Sequence, residues 1–129
     1  MLDDSDEIIK IFKRCFYLID SHEINARAHQ IYSELDETNK NLFLKTLKSK
    51  ILRCDIYEKT INEFNECINI LQYNYSNSDF NLILRTKFLI KERNPTKWLL
   101  NLLIFSKNKQ ILQFQKVAEK WLYDFKIRS

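Results

Sequence analysis

The 129-residue chain contains no glycine. Tight hairpins, phosphate-cradling loops and nucleophile elbows all use backbone conformations that glycine adopts at little cost, so dinucleotide-binding and P-loop chemistry are excluded. A single proline leaves few of the punctuators that short-strand folds require, which argues against sandwiches and barrels. No apolar run approaches the roughly 20 residues of a membrane span, and the start, with Asp3, Asp4, Asp6 and Glu7, is the reverse of a secretory leader. The expectation is a chain neither secreted nor membrane-embedded. Cys15, Cys54 and Cys67 are odd in number and have no close pairing, as expected of reduced, buried thiols in a cytosolic or nuclear compartment.

The same scarcity applies to chemistry. The cysteines and the two histidines lack any CxxC, HExxH or zinc-finger spacing, so no metal and no cofactor are expected. His22 and His29 share a helix face without acidic or thiol neighbours. Cys15 and His22 stand two turns apart, about 10 Å, beyond hydrogen-bond reach. Acidic pairs such as Asp36 and Glu37 fall at caps and turns, where compensation of the helix dipole accounts for them. The chain reads as a non-enzyme that binds other macromolecules.

What is present is the composition of a globular helical domain, 45% apolar and 29% charged, of a length suited to one domain spanning 1–129. Its charge is unevenly spread. Residues 1–80 carry 10 Lys/Arg against 14 Asp/Glu, whereas 81–129 carry 11 against 3, so the halves are −4 and +8. The second half is expected to offer a basic surface to an acidic partner.

Apolar residues recur at helical steps throughout. Ser5 caps a first helix carrying Ile8, Ile9, Phe12, Cys15, Phe16 and Ile19, ended by Asp20 and Ser21. A second helix is expected over 22–35. Thr38 caps a third, with Leu42, Leu44, Leu47, Ile51 and Leu52. Two shorter helices are expected to carry Ile56, Ile61, Phe64, Ile68 and Leu71. Residues 73–77 read as a loop. Ser78 then caps a helix over 79–93 whose core is Leu82, Leu84, Phe88 and Leu89. Asn94 and Pro95 read as a stop and restart. The helix that follows carries Trp98, Leu99, Leu102, Leu103 and Phe105. The last begins near Asn108, with Ile111, Phe114, Ala118, Trp121 and Phe125 on one packing seam.

Three stretches carry a family resemblance. Phe43 and Leu44 through Ile51 and Leu52 to Asp55 and Ile56 follow a pattern of apolar helix, Leu-x-x-x-Asp-Leu and further apolar helix. SDFNLILRTKFL at 78–89 follows Ser-Leu-Pro-x-x-x-Ile-Arg-x-x-Leu-Leu, with Ser78, Leu84, Arg85, Phe88 and Leu89 in register. KVAEKW at 116–121 resembles a closing helix with a terminal tryptophan. From about residue 41 onward the chain thus resembles the core domain of the Iws/Spn transcription elongation factors, whose C-terminal part is the TFIIS N-terminal (LW) domain also found in Elongin A and a Mediator subunit. A Gly-Ile-Gly-Arg turn in the family pattern is missing here, Asp79 and Phe80 replace Leu-Pro, and Leu122, Tyr123 and Asp124 replace Arg-Pro-Ile.

The resemblance implies an all-α, right-handed superhelical bundle of about seven to eight short helices, HEAT/ARM-like, with 78–129 as a TFIIS N-terminal-like subdomain. It further implies a nuclear docking platform for an acidic, disordered segment of the Spt-type elongation factor and histone chaperone that travels with RNA polymerase II. Such a segment inserts an apolar anchor while its carboxylates meet basic side chains on the rim. Arg85 is the leading partner-binding candidate, with Lys87, Lys91, Lys97 and Trp98 behind it. The alternative is a basic nucleic-acid- or ribosome-associated helical factor, with weak, salt-sensitive phosphate contacts.

Overall fold

The computed structural model describes residues 4–39 and 54–128, and within them every regular element is a helix. There are five: α1 (Asp4–Ile19), α2 (Ser21–Asn39), α3 (Asp55–Tyr73), α4 (Ser78–Lys87) and α5 (Pro95–Arg128). The chain is therefore all-α, but the seven to eight short helices expected from sequence are not found among the described residues. The expected helix around Leu42 to Leu52 lies outside them. Elsewhere the helices are fewer because they are longer, for local reasons given below.

Helix boundaries follow side-chain chemistry. Asp20 Oδ1 accepts from the backbone N–H of His22 (2.8 Å) and of Glu23 (3.2 Å), ending α1 and capping α2 in one step. The N-cap of α3 is Cys54, whose side chain makes no cap bond. Glu34 of α2 supplies the cap instead, its two carboxylate oxygens accepting from Asp55 N (2.7 Å) and Ile56 N (3.1 Å). A carboxylate there also suits the positive end of the helix dipole. Residues 55–73 form one helix rather than two, since nothing between Ile56 and Leu71 interrupts the buried row Thr60, Phe64, Cys67, Leu71. Ser78 is not the cap of α4: Asn77 takes that role, accepting from Asp79 N and Phe80 N.

Among the described residues two apolar cores result. The first joins Phe12, Cys15 and Leu18 of α1, Phe64, Cys67 and Leu71 of α3, Phe80, Ile83 and Leu84 of α4, and Leu99, Leu100 and Leu103 of α5. Phe12 meets Phe80 edge-on at 5.4 Å, and Phe16 stacks on Phe88 at 5.1 Å. The second joins Ile31 and Leu35 of α2, Cys54, and Ala118 and Trp121 of α5, flanked by the stacked pair Tyr57 and Phe114 at 3.9 Å. Each fully buried aromatic or aliphatic side chain contributes about 1.5–3 kcal/mol. All three cysteines are buried and free.

The long helix α5 packs on all four others and runs through both cores. The expected break near residues 106–108 does not occur. Ser106 and Gln110 look like a polar interruption in the sequence, yet both are buried on the inner face of α5. Gln110 Oε1 accepts from Arg27 Nε of α2 at 3.0 Å, so the polar stretch is an interior contact between the two cores and the helix continues. Leu82 and Leu89, expected in the core, are also corrected: they are 56% and 74% exposed. On a helix Leu82 lies about 200° from Leu84 and cannot share its buried face. Leu89 lies beyond the end of α4, which stops at Lys87 instead of 93.

Candidate partner-binding surface

Residues 85–98 form the corner between α4 and α5, and the chain is tied there by several backbone bonds. Asn81 Oδ1 accepts from both the backbone N–H (3.0 Å) and the hydroxyl (2.8 Å) of Thr96, fixing the start of α5 against α4. Asn94 Oδ1 accepts from Lys97 N at 3.1 Å, and Trp98 N donates to the Asn94 carbonyl at 3.0 Å. Asparagine thus caps α5 with Pro95 at its first position, as the sequence indicates.

Between the helices the chain must reverse without glycine. It does so at Leu89, which has φ 58°, and Ile90 N then donates to the Leu84 carbonyl at 3.1 Å. A left-handed conformation costs a residue with a β-carbon about 1–2 kcal/mol. The strain is retained in a leucine that is mostly solvent-exposed.

The five sequence candidates all fall on this corner. Arg85 is exposed, and its Nη2 donates to the Arg93 carbonyl at 2.7 Å, so one of its five N–H groups holds the loop. Lys87, Lys91 and Lys97 are exposed, and none is paired with a carboxylate among the described residues. Trp98 is half-buried against the first core, so it is partly structural. Sequence reasoning missed that Leu82 and Leu89, on either side of Arg85 in the chain, are exposed apolar groups. The signal was available in the 200° separation of Leu82 from Leu84, but not in Leu89, whose exposure depends on where the helix stops.

Trp121, the other large aromatic, is fully buried, and its indole Nε1 donates to Asp36 Oδ1 at 3.0 Å. It serves the second core and not a surface. Phe105, assigned to the helix that follows Pro95, is 67% exposed.

Other groups offer little chemistry. An open groove of about 420 Å³ between α1 and α3 is lined by Arg14, Asp55, Glu58, Glu63 and Glu66 among others. Arg14 and Glu66 are bonded there at 2.9 Å, which raises the Arg14 pKa. Cys15 has Cys67 and not His22 as its partner, and that thiol hydrogen bond together with burial pushes its pKa up. Burial likewise pushes Cys54 up to about 11. A thiol held protonated is a poor nucleophile. The hydrogen bond with Cys15 lowers the pKa of Cys67, which is buried. Among the described residues no group of three or more His, Cys, Asp or Glu side chains could hold a metal ion. No described helix is long and apolar enough to cross a membrane. Compared with known protein families, curated proteins and solved structures, the chain finds no match.

Proposed function

We propose that this chain is a non-enzymatic nuclear scaffold in RNA polymerase II transcription elongation. It docks an acidic, apolar-anchored segment of the Spt-type elongation factor and histone chaperone at the α4–α5 corner. The proposal includes the finer architecture that the Iws/Spn resemblance implies, a right-handed HEAT/ARM-like superhelix in one domain over 1–129, with 78–129 as its TFIIS N-terminal-like part. The elongation role and the Spt-type partner rest on that resemblance. The docking chemistry rests on one observation: exposed Arg85 lies between exposed Leu82 and Leu89 in the chain, with Lys87, Lys91 and Lys97 nearby in the chain and unpaired with a carboxylate among the described residues. Exposed apolar groups beside a guanidinium suit a segment that combines a leucine or aromatic anchor with carboxylates.

Anisotropy titration with a labelled acidic segment of the Spt-type factor tests it. Arg85→Glu is expected to weaken binding about tenfold or more, with helical content unchanged and the melting temperature lowered only slightly by loss of the bond to the Arg93 carbonyl. Unchanged affinity would sink the assignment.

The second reading, a nucleic-acid- or ribosome-associated factor, draws on the same exposed cations together with Arg93. A steep fall of RNA or duplex binding with salt would favour it, whereas selective binding of one acidic peptide favours docking.

A further inference from the structure

Helix α5 turns one line of side chains away from the four helices it packs on. At about 100° per residue, Phe105, Leu112 and Tyr123 fall within roughly 20° of one another, and Tyr123 stands five turns beyond Phe105. They are 67%, 58% and 64% exposed. Lys109 and Lys116 lie on the same line, both exposed and neither paired with a carboxylate among the described residues. Single exposed hydrophobics need no special account, but a row of them over roughly 27 Å of one helix does.

We propose that this outer line of α5 is the docking surface for an acidic amphipathic helix. Apolar residues repeating every seven positions in that helix seat against Phe105 and Leu112, while its carboxylates meet Lys109 and Lys116. The inference rests on the docking reading above and specifies the chemistry and conformation of the docked segment.

Three features select this occupant. Phe105 and Leu112 are seven residues apart, the interval at which a partner helix returns the same face. The charge on the line is positive, with Glu119 its one exposed acid, so carboxylates are the complementary groups. Leu112 at the centre is aliphatic and offers nothing to a phosphate backbone, which disfavours nucleic acid. A second copy of the chain using the same face would set lysines against lysines. Trp98, seven residues before Phe105, falls at the same angle but is half-buried against the first core, so the exposed line begins beyond it.

The test is anisotropy of the full chain with a labelled 21-residue helical peptide bearing leucine at the heptad a and d positions and glutamate elsewhere. Its lysine-for-glutamate version and poly(U) RNA are run beside it. The glutamate peptide is expected to bind, and to weaken about tenfold or more in Leu112→Ala and in the double variant Lys109→Glu/Lys116→Glu. Both variants are expected to keep wild-type helicity and melting temperature, because the altered side chains are exposed. The lysine peptide and the RNA are expected not to bind. If the peptide binds and is lost in Arg85→Glu but not in the α5 variants, the α5 face falls and the corner reading stands. If the glutamate peptide does not bind at all, this face falls, while the Spt-type segment titrated against Arg85→Glu still decides the corner separately. Salt-steep RNA binding, or self-association abolished by Leu112→Glu, each overturns the proposal.

Discussion

Arg27 and Gln110, 83 positions apart in sequence, meet through a 3.0 Å hydrogen bond between Nε and Oε1 in the layer separating the two apolar cores. Arg27 is only 6% exposed, and its Nη2 also donates to the Leu18 carbonyl at 2.9 Å. Its guanidinium lies over the Phe64 ring at 5.9 Å and the Tyr17 ring at 5.6 Å, and burial lowers its pKa. Among the described residues Arg27 Nη1 and Gln110 Nε2 find no hydrogen-bond partner. The contact fixes which stretch of α2 faces which stretch of α5, at a cost in desolvation.

That cost gives the first prediction. Arg27→Ala leaves Gln110 Oε1 and the Leu18 carbonyl without their donor and is expected to destabilise by about 2–4 kcal/mol. The double variant Arg27→Met/Gln110→Leu removes both polar partners and is expected to fall within about 1 kcal/mol of wild type, or above it. Urea unfolding of the single and double variants measures the coupling. Additive losses would show that the two side chains do not act as a pair.

Leu89 supplies the second. Its φ of 58° is a conformation glycine adopts without strain, and its side chain is not in the core. Leu89→Gly is expected to raise stability by up to about 1 kcal/mol, the relief of strain being partly offset by the greater freedom of glycine in the unfolded chain. The same change removes an apolar group beside Arg85, so acidic-segment binding should weaken while the melting temperature rises. A fall in melting temperature would mean that the leucine side chain packs on the corner.

The cores and the polar corner were legible in the sequence to different degrees. Phe12, Cys15, Phe64, Leu84, Leu99, Leu103 and Trp121 could be read from helical spacing because burial repeats with the helix turn. The candidate residues Arg85, Lys87, Lys91, Lys97 and Trp98 do share one corner, since Asn94 and Pro95 mark it locally. The exposure of Leu82 was readable from its 200° separation from Leu84, but Leu89 and the outer line of α5 could not be read, because an apolar residue carries no mark of which way it faces once several faces of a helix are apolar. Ser106 and Gln110 misled in the opposite direction. Their polarity signals a loop unless both are known to be buried, with Arg27, far away in sequence, meeting Gln110.

The continuity of α5 yields the third prediction. Asn108 is exposed, so changing it alters the backbone and little else. Asn108→Pro in a continuous helix removes one backbone hydrogen bond and sets the ring against the carbonyl four residues before, for a loss of about 3 kcal/mol or more. Asn108→Ala is expected to be neutral or stabilising by a few tenths of a kcal/mol. Thermal melts of the two variants decide it. If proline is tolerated, the helix restarts near Asn108, as the polar run suggests.

Buried thiols set the pH dependence. In the folded chain Cys54 ionises only near pH 11 because it is buried, whereas an ordinary thiol ionises at 9.0. Cys15 is raised too, by its hydrogen bond with Cys67 and by burial. The same hydrogen bond lowers Cys67, so the two act in opposite senses and Cys54 carries the prediction. As pH rises past 9 the unfolded chain gives up the Cys54 proton that the folded chain keeps. The folded state then binds more protons, and stability falls with pH. The Cys54 contribution is fully present below pH 9 and is lost on the way to 11, with a slope of up to about 1.4 kcal/mol per pH unit. Urea midpoints at pH 8, 9, 10 and 10.5 are expected to drop in that order, and Cys54→Ala should flatten the decline. At pH 8, before this loss begins, a disulfide reagent should titrate the three cysteines rapidly only after denaturant is added, because all are buried. Rapid labelling of the native chain at pH 8 would place a thiolate at the surface and remove the basis for the alkaline decline.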